Sequence, residues 1–229
     1  MQVVRKIVYS FVVILLLGVL GIWVFLTSHK PQYNGTVQLN GLKEQTEIYF
    51  DYFGIPHIYA KNETDAYFAL GYLQAQDRLF QMEMTRRVAS GRLSEILGPD
   101  FVKVDAFFLT LGLNKHAEEA AALYMSSDTS SYQRAAKAYL AGVNKFIEQG
   151  RTPVEYLMLG IPKANFTAKD IYLVTEYMAF NFAMGFRTDP LMSFINSKLG
   201  KPYYRDLKSH YVEGTFRNPV WDTLGVGIA

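Results

Sequence analysis

The 229-residue chain contains no cysteine, which excludes disulfide scaffolds, thiolate nucleophiles and Cys-ligated zinc in one step. It also lacks a strong charge of either sign. Its 23 Lys and Arg against 21 Asp and Glu leave +2, far from the concentrated basic excess that a nucleic-acid partner requires, so no such partner is expected. Low-complexity tracts and internal repeats are missing. Half of the residues are hydrophobic, which excludes an intrinsically disordered chain. There is no Gly-x-Ser-x-Gly elbow and no Gly-rich phosphate loop. His116-Ala117-Glu118-Glu119-Ala120 has the look of a zinc helix, but Ala120 stands where the second histidine would face the same metal. The histidines at 29, 57, 116 and 210 are scattered. His57, inside an aromatic strand, reads as a hydrogen-bonded structural residue rather than a base.

The features that are present begin at the N-terminus. Arg5 and Lys6 precede an uncharged run from Ile7 to Leu26, and at about 1.5 Å per helical residue this run covers the roughly 30 Å hydrocarbon core of a bilayer. Residues 1–28 therefore read as a signal anchor or a signal peptide. The run ends in Val24-Phe25-Leu26-Thr27-Ser28, a weak cleavage site, which favours an uncleaved anchor crossing the membrane through residues 7–26. Arg5 and Lys6 then stay inside, and the chain after Leu26 lies on the periplasmic or extracellular side. Residues 29–45, with Pro31, Asn34-Gly35 and Asn40-Gly41, read as a tether.

Beyond the tether the chain is expected to be mainly α, an α+β arrangement with one short N-terminal β-hairpin. Alternation in Glu47-Ile48-Tyr49-Phe50 and His57-Ile58-Tyr59, broken by Asp51-Tyr52-Phe53-Gly54, predicts that hairpin over residues 46–60. From 64 to 200 the period turns helical. Thr64 is the expected cap of a helix with the stripe Phe68, Tyr72, Leu79, Phe80 and Met84, ending at Ser90-Gly91. Shorter helices fit Asp100 to Leu111 and Lys115 to Met125, and a longer one fits Thr129 to Glu148. Thr167 and Asp170 resemble a capping box opening an aromatic helix to about Met184, and a last helix runs from Pro190 to Leu199. Residues 201–229 carry weak order signals and read as an extended tail. One hairpin cannot build a sheet core, so a partner or further sequence is expected to complete the fold.

The densest polar stretch lies between Gln74 and Glu95. Glu83 can reach Arg86 and Arg87 at helical spacing, and Arg92 can reach Glu95. Phe80, Met82 and Met84 surround these charges, so partly buried ion pairs are expected in place of a solvated face. The aromatic helix carries Tyr172, Tyr177, Met178, Phe180, Phe182, Met184 and Phe186. Apolar residues on nearly all sides point either to deep burial or to one face lining an apolar cavity.

The motifs Asp51-Tyr52-Phe53-Gly54-Ile55-Pro56-His57-Ile58-Tyr59-Ala60, Gly71-Tyr72, Ala75-Gln76-Asp77-Arg78-Leu79-Phe80-Gln81-Met82-Glu83, Arg86-Arg87 and Gly91-Arg92-Leu93-Ser94-Glu95-Ile96-Leu97-Gly98 resemble, in order, the start of the penicillin acylase family of N-terminal-nucleophile hydrolases. The likeness is densest from residue 47 to 112 and persists to Gly200. It implies that residues 46–200 form a helical α-chain packed around an αββα β-chain cut from the same precursor, with a serine nucleophile opening that β-chain. The serine is expected after Ala229, so that the tail 201–229 ends near the autoproteolytic site. No catalytic residue is then expected among the present residues, and the segment alone should be inactive. The resemblance further implies an acyl pocket wall from Met178 and Phe182, with Phe180 and Asn181 between them; Asn181 stands where some members carry arginine. It implies no catalytic cofactor but a structural calcium, with Asp189 as the matching carboxylate and Glu176 as the alternative. The implied substrate is a small-molecule acyl amide, of the penicillin or acyl-homoserine-lactone type. A non-catalytic, membrane-tethered helical binding module is the rival expectation.

Overall fold

The computed structural model describes residues 2–200 and Tyr203. The expected tail 201–229 otherwise lies outside the described residues, and so does Ala229, the residue after which the serine nucleophile is expected. The chain divides into two compact units, residues 1–177 and 178–229. The architecture is mainly helical with one two-stranded antiparallel sheet.

The first unit begins with α1 (Gln2–Ser28). Its segment Val4–Ser28 is 25 residues and contains an 18-residue window of mean hydropathy 2.7, none of it buried, so by length and composition it is able to cross a membrane. Strands β1 (Glu47–Phe50) and β2 (Pro56–Tyr59) pair in the register Ile48 to Ile58 and Tyr49 to His57. Asp51 closes the hairpin: one carboxylate oxygen accepts from the Phe53 and Ile55 amides, each at 2.9 Å, and the other lies 3.3 Å from His57 Nε2. These bonds, the Ile55 amide foremost, hold the Asp51 pKa below its ordinary value. His57 is hydrogen-bonded, as its strand position suggested, although half of its side chain is in solvent.

The centre is α2 (Glu63–Ser90) against α6 (Ser131–Gln149). Their backbones touch. A Cβ on Gly71 would lie 2.0 Å from the Tyr139 carbonyl oxygen, and one on Gly142 would lie 1.9 Å from that of Phe68, so only glycine permits this approach. Around the contact, Ala75, Leu79, Val143, Phe146, Ile147, Tyr156, Ile161 and Phe166 form the main core. Ala89, Ala117 and Leu173 form a smaller cluster. The intervening elements are α3 (Ser94–Leu97), a 3-10 turn (Pro99–Phe101), α4 (Val102–Leu111) and α5 (Leu113–Tyr124), followed after α6 by α7 (Val154–Leu159) and α8 (Ala168–Leu199).

Several boundaries correct the sequence expectation. The cap of α2 is Asn62, whose side chain accepts from the Asp65 amide at 2.9 Å and donates to the Asp65 carboxylate at 2.7 Å; this reciprocal pair places Thr64 inside the helix. Helix α6 starts at Ser131 because Ser130 and Gln133 form a capping box. The separate helix expected from Pro190 does not exist. Instead α8 runs through Pro190 to Leu199, since a long helix tolerates one missing amide donor at a cost of about 3 kcal/mol. Helices α3 and α7 were not anticipated, being too short to show a period.

Residues 29–45 are bonded along α2. The Tyr33 hydroxyl donates to Asp77 at 3.2 Å, Gln76 donates to the Gln32 carbonyl at 3.2 Å, and the amides of Lys43 and Glu44 donate to Asp65 at 3.0 and 2.9 Å. The buried Asp65 carboxylate thus fixes the entry loop. Asp105 repeats the device, accepting from the Leu93 and Ser94 amides, each at 2.8 Å, to shape the turn after α2. Burial works against both charges, yet the donated hydrogen bonds outweigh it and both pKa values fall below the ordinary carboxylate value.

Candidate functional site

The charges of α2 assemble into one cluster at its C-terminal half. Glu83, 2% exposed, accepts from Arg86 and, at 2.7 Å, from Arg87 Nε. Arg87 also donates to Glu95 at 2.7 Å, and Arg92 forks onto the same carboxylate at 2.7 and 2.9 Å. Arg86 continues to the Asn165 carbonyl at 3.1 Å, stacks over the Phe166 ring at 4.0 Å from its centroid, and lies 3.7 Å from Asp170. The hydrogen bond from Arg92 holds the Glu95 pKa low. The expected ion pairs are present and their inner members are buried. Every carboxylate of the cluster faces a guanidinium, so it joins α2, α3 and the start of α8 structurally and leaves no base free for chemistry.

Asp170 also defines where α8 starts, since its carboxylate accepts from both the amide and the hydroxyl of Thr167, at 2.6 and 2.8 Å. The first part of α8 packs through Leu173, 1% exposed. One oxygen of Glu176 lies 2.7 Å from His116 Nδ1, and the other is buried with no hydrogen-bond partner. The bond to Glu176 raises the His116 pKa.

Met178 and Phe182, the expected pocket residues, lie one turn apart on α8 in the second unit, 52% and 71% exposed. Such spacing projects both from one face. Asn181 is exposed beside them and Phe180 is half-buried. Asp189, the expected calcium ligand, is exposed in the same helix. Among the described residues no group of three or more His, Asp or Glu is placed to hold a metal. A lone carboxylate does not fit a cation that takes six to eight oxygens, and Glu176 is committed to His116.

The penicillin amidase family pattern matches residues 45–217. The chain belongs to the penicillin amidase family. It is 40% identical over 131 residues to penicillin acylase 2 proenzyme of Pseudomonas sp. strain SE83, covering 57% of this chain and 16% of that protein. It is 30% identical over 172 residues to the acyl-homoserine lactone acylase QuiP of Pseudomonas aeruginosa, covering 74% of this chain and 20% of the relative. Penicillin G acylase of Escherichia coli is 37% identical over 124 residues, 52% of this chain and 14% of that protein. This penicillin amidase family chain therefore spans about a fifth or less of the curated relatives it matches. Among solved structures, the thermostable penicillin G acylase of Alcaligenes faecalis in tetragonal form superposes with a TM-score of 0.53 at 26% identity, covering 71% of this chain and 88% of that one.

Sequence reasoning found the α2 charges, but missed the loop-fixing roles of Asp65 and Asp105 and the His116–Glu176 contact. The Asn62-x-x-Asp65 spacing was a usable signal for the first. Partners separated by sixty residues, as His116 and Glu176 are, leave no pattern in one sequence.

Proposed function

We propose that this chain is the helical, membrane-anchored part of an exported amidohydrolase that cleaves N-acyl amides of the penicillin or acyl-homoserine-lactone type into a carboxylate and a free amine. The family match over residues 45–217 carries the reading, and the names of the relatives supply both substrate types. The nucleophile is a serine beyond Ala229, opening a β-chain made from the same precursor. Its α-amino group accepts the hydroxyl proton as the oxygen attacks the amide carbon, donors hold the oxyanion, and the protonated amine leaves an acyl-enzyme that water hydrolyses.

The contribution of the present residues is recognition of the acyl group. Met178 and Phe182 offer two exposed apolar side chains on one face of α8, suited to an apolar acyl chain, with Phe180 and Asn181 adjoining them. The apolar α1 anchors the domain on the outer side of the membrane, supported by its length, its hydropathy and the basic pair Arg5 and Lys6 at its start.

Phe182→Ala in the full protein tests the assignment. Its relative kcat/KM for long over ring-sized acyl groups should rise by about 10- to 200-fold with maturation spared. Unchanged acyl preference with lost stability would remove α8 from the substrate site. Absence of amide hydrolysis by the complete wild-type protein would favour the non-catalytic binding module.

A further inference from the structure

Helix α7 is turned inside out for a surface helix. Tyr156, 3% exposed, points inward, with its hydroxyl 3.4 Å from the Leu79 carbonyl. At 100° per residue Met158 falls on nearly the opposite side, flanked by Leu157 and Leu159. These outward residues are 79%, 49% and 39% exposed. Glu155, also exposed, lies about 60° from Met158 on the same side, so the outward face carries one charge in its first turn beside three large apolar side chains, and that apolar part needs a cover.

Its neighbourhood identifies the cover. Arg151, three residues before α7, donates to the Ser28 carbonyl at 2.7 Å and to the Lys30 carbonyl at 3.4 Å, so the loop entering α7 clasps the last turn of α1. Val154 of α7 lines one cleft of about 530 Å³ together with Leu26 of α1, His29 and Lys30. The first turn of α7 therefore stands level with the end of the apolar segment. With α1 as a membrane anchor, that end is the outer hydrocarbon boundary, and Lys30 and Arg151 are placed at the depth of lipid phosphates.

We propose that α7 is a second membrane contact, with Leu157, Met158 and Leu159 seated in the outer leaflet beside α1. The occupant of the apolar face is lipid. This inference rests on α1 spanning the membrane, and it adds that the domain lies down on the bilayer instead of hanging from a tether. Two points of attachment fix its tilt as well as its distance from the surface.

The absence of native cysteine from these residues makes site-specific labelling direct. Met158→Cys and, separately, Leu17→Cys are labelled with a bimane fluorophore in the full protein, reconstituted into phosphatidylethanolamine–phosphatidylglycerol vesicles with or without brominated acyl chains. Bromolipid quenching at 158 of at least about half that at 17 is expected, as for a side chain a few ångströms below the headgroups. Quenching of 158 by aqueous iodide but not by bromolipid would overturn the proposal in favour of a water-facing helix. Quenching by neither would overturn it in favour of a cover from the remainder of the protein. Bromolipid quenching at 17 but not at 158 defeats this inference alone, whereas its absence at both positions defeats the anchor reading as well.

Discussion

Glu83 accepts hydrogen bonds from two arginines at a position 2% exposed, and Glu83→Gln keeps its shape while removing its charge. Three arginines would then face the two remaining carboxylates, Glu95 and Asp170. Breaking a buried pair costs about 3–5 kcal/mol when a charge is left without a partner. Here Arg87 retains Glu95 at 2.7 Å and Arg86 retains the Asn165 carbonyl at 3.1 Å, which places the loss near the lower end, about 3 kcal/mol. That is a large share of the roughly 5–15 kcal/mol that stabilises an ordinary domain. Native-state hydrogen exchange of the α2 and α6 amides in the complete protein reads it directly, as exchange faster by on the order of a hundredfold. Arg92→Ala is the control. Its side chain is 58% exposed, so about 0–1 kcal/mol is expected, and added salt should shrink that effect while leaving the Glu83 effect nearly intact. Exchange in Glu83→Gln within about threefold of wild type, or equal damage from Arg92→Ala, would refute the view of a buried, shape-fixing cluster.

Two further perturbations address the helix contact and the loops. Gly142→Ala places a methyl group 1.9 Å from the Phe68 carbonyl oxygen, where backbone and not a flexible side chain must yield; a loss at or beyond the upper end of about 1–3 kcal/mol is expected, seen as loss of protease-resistant protein, and a normally folded variant would mean that α2 and α6 do not touch. Asp105 has a folded pKa below its unfolded value of 3.8, so its contribution is full above that value and is lost as pH falls through the folded one; melting followed from neutral pH down to about pH 2 should show a shallower acid limb in Asp105→Asn, with lower stability at neutral pH.

The sequence carried the hairpin, the helical period from residue 64 and the charges of α2, because each rests on neighbours within one or two turns. The features it concealed depend on residues far apart. Gly71 and Gly142 look like weak points in their helices until the facing carbonyls are seen. Asp65 and Asp105 sit in helices as ordinary acids, and only folding brings the Lys43, Glu44, Leu93 and Ser94 amides to them. The stop expected at Pro190 follows from local propensity, which the continuity of α8 overrides. Of the candidate site, the pair Met178 and Phe182 came from the family resemblance and not from spacing, which reads equally well as core packing. The apolar outer face of α7 was not legible, since its inward residue is known only once Tyr156 is placed.

The backbone contact between Gly71 and Gly142 also sets an order of events as the chain is made. Helix α2 leaves the ribosome early, with its ends already defined by Asn62 and Gly91. Its glycine face stays bare until α6 emerges, and Arg86 waits longer still for Asn165, Phe166 and Asp170. Meanwhile the turns fixed by Asp51 and Asp105 join residues close in sequence and can close at once. The interval in which α2 is complete but lacks its main packing partner therefore runs from the emergence of Ser90 to that of Gln149 at the end of α6. Among the packed elements, proteases and chaperones that meet the nascent chain will find α2 first.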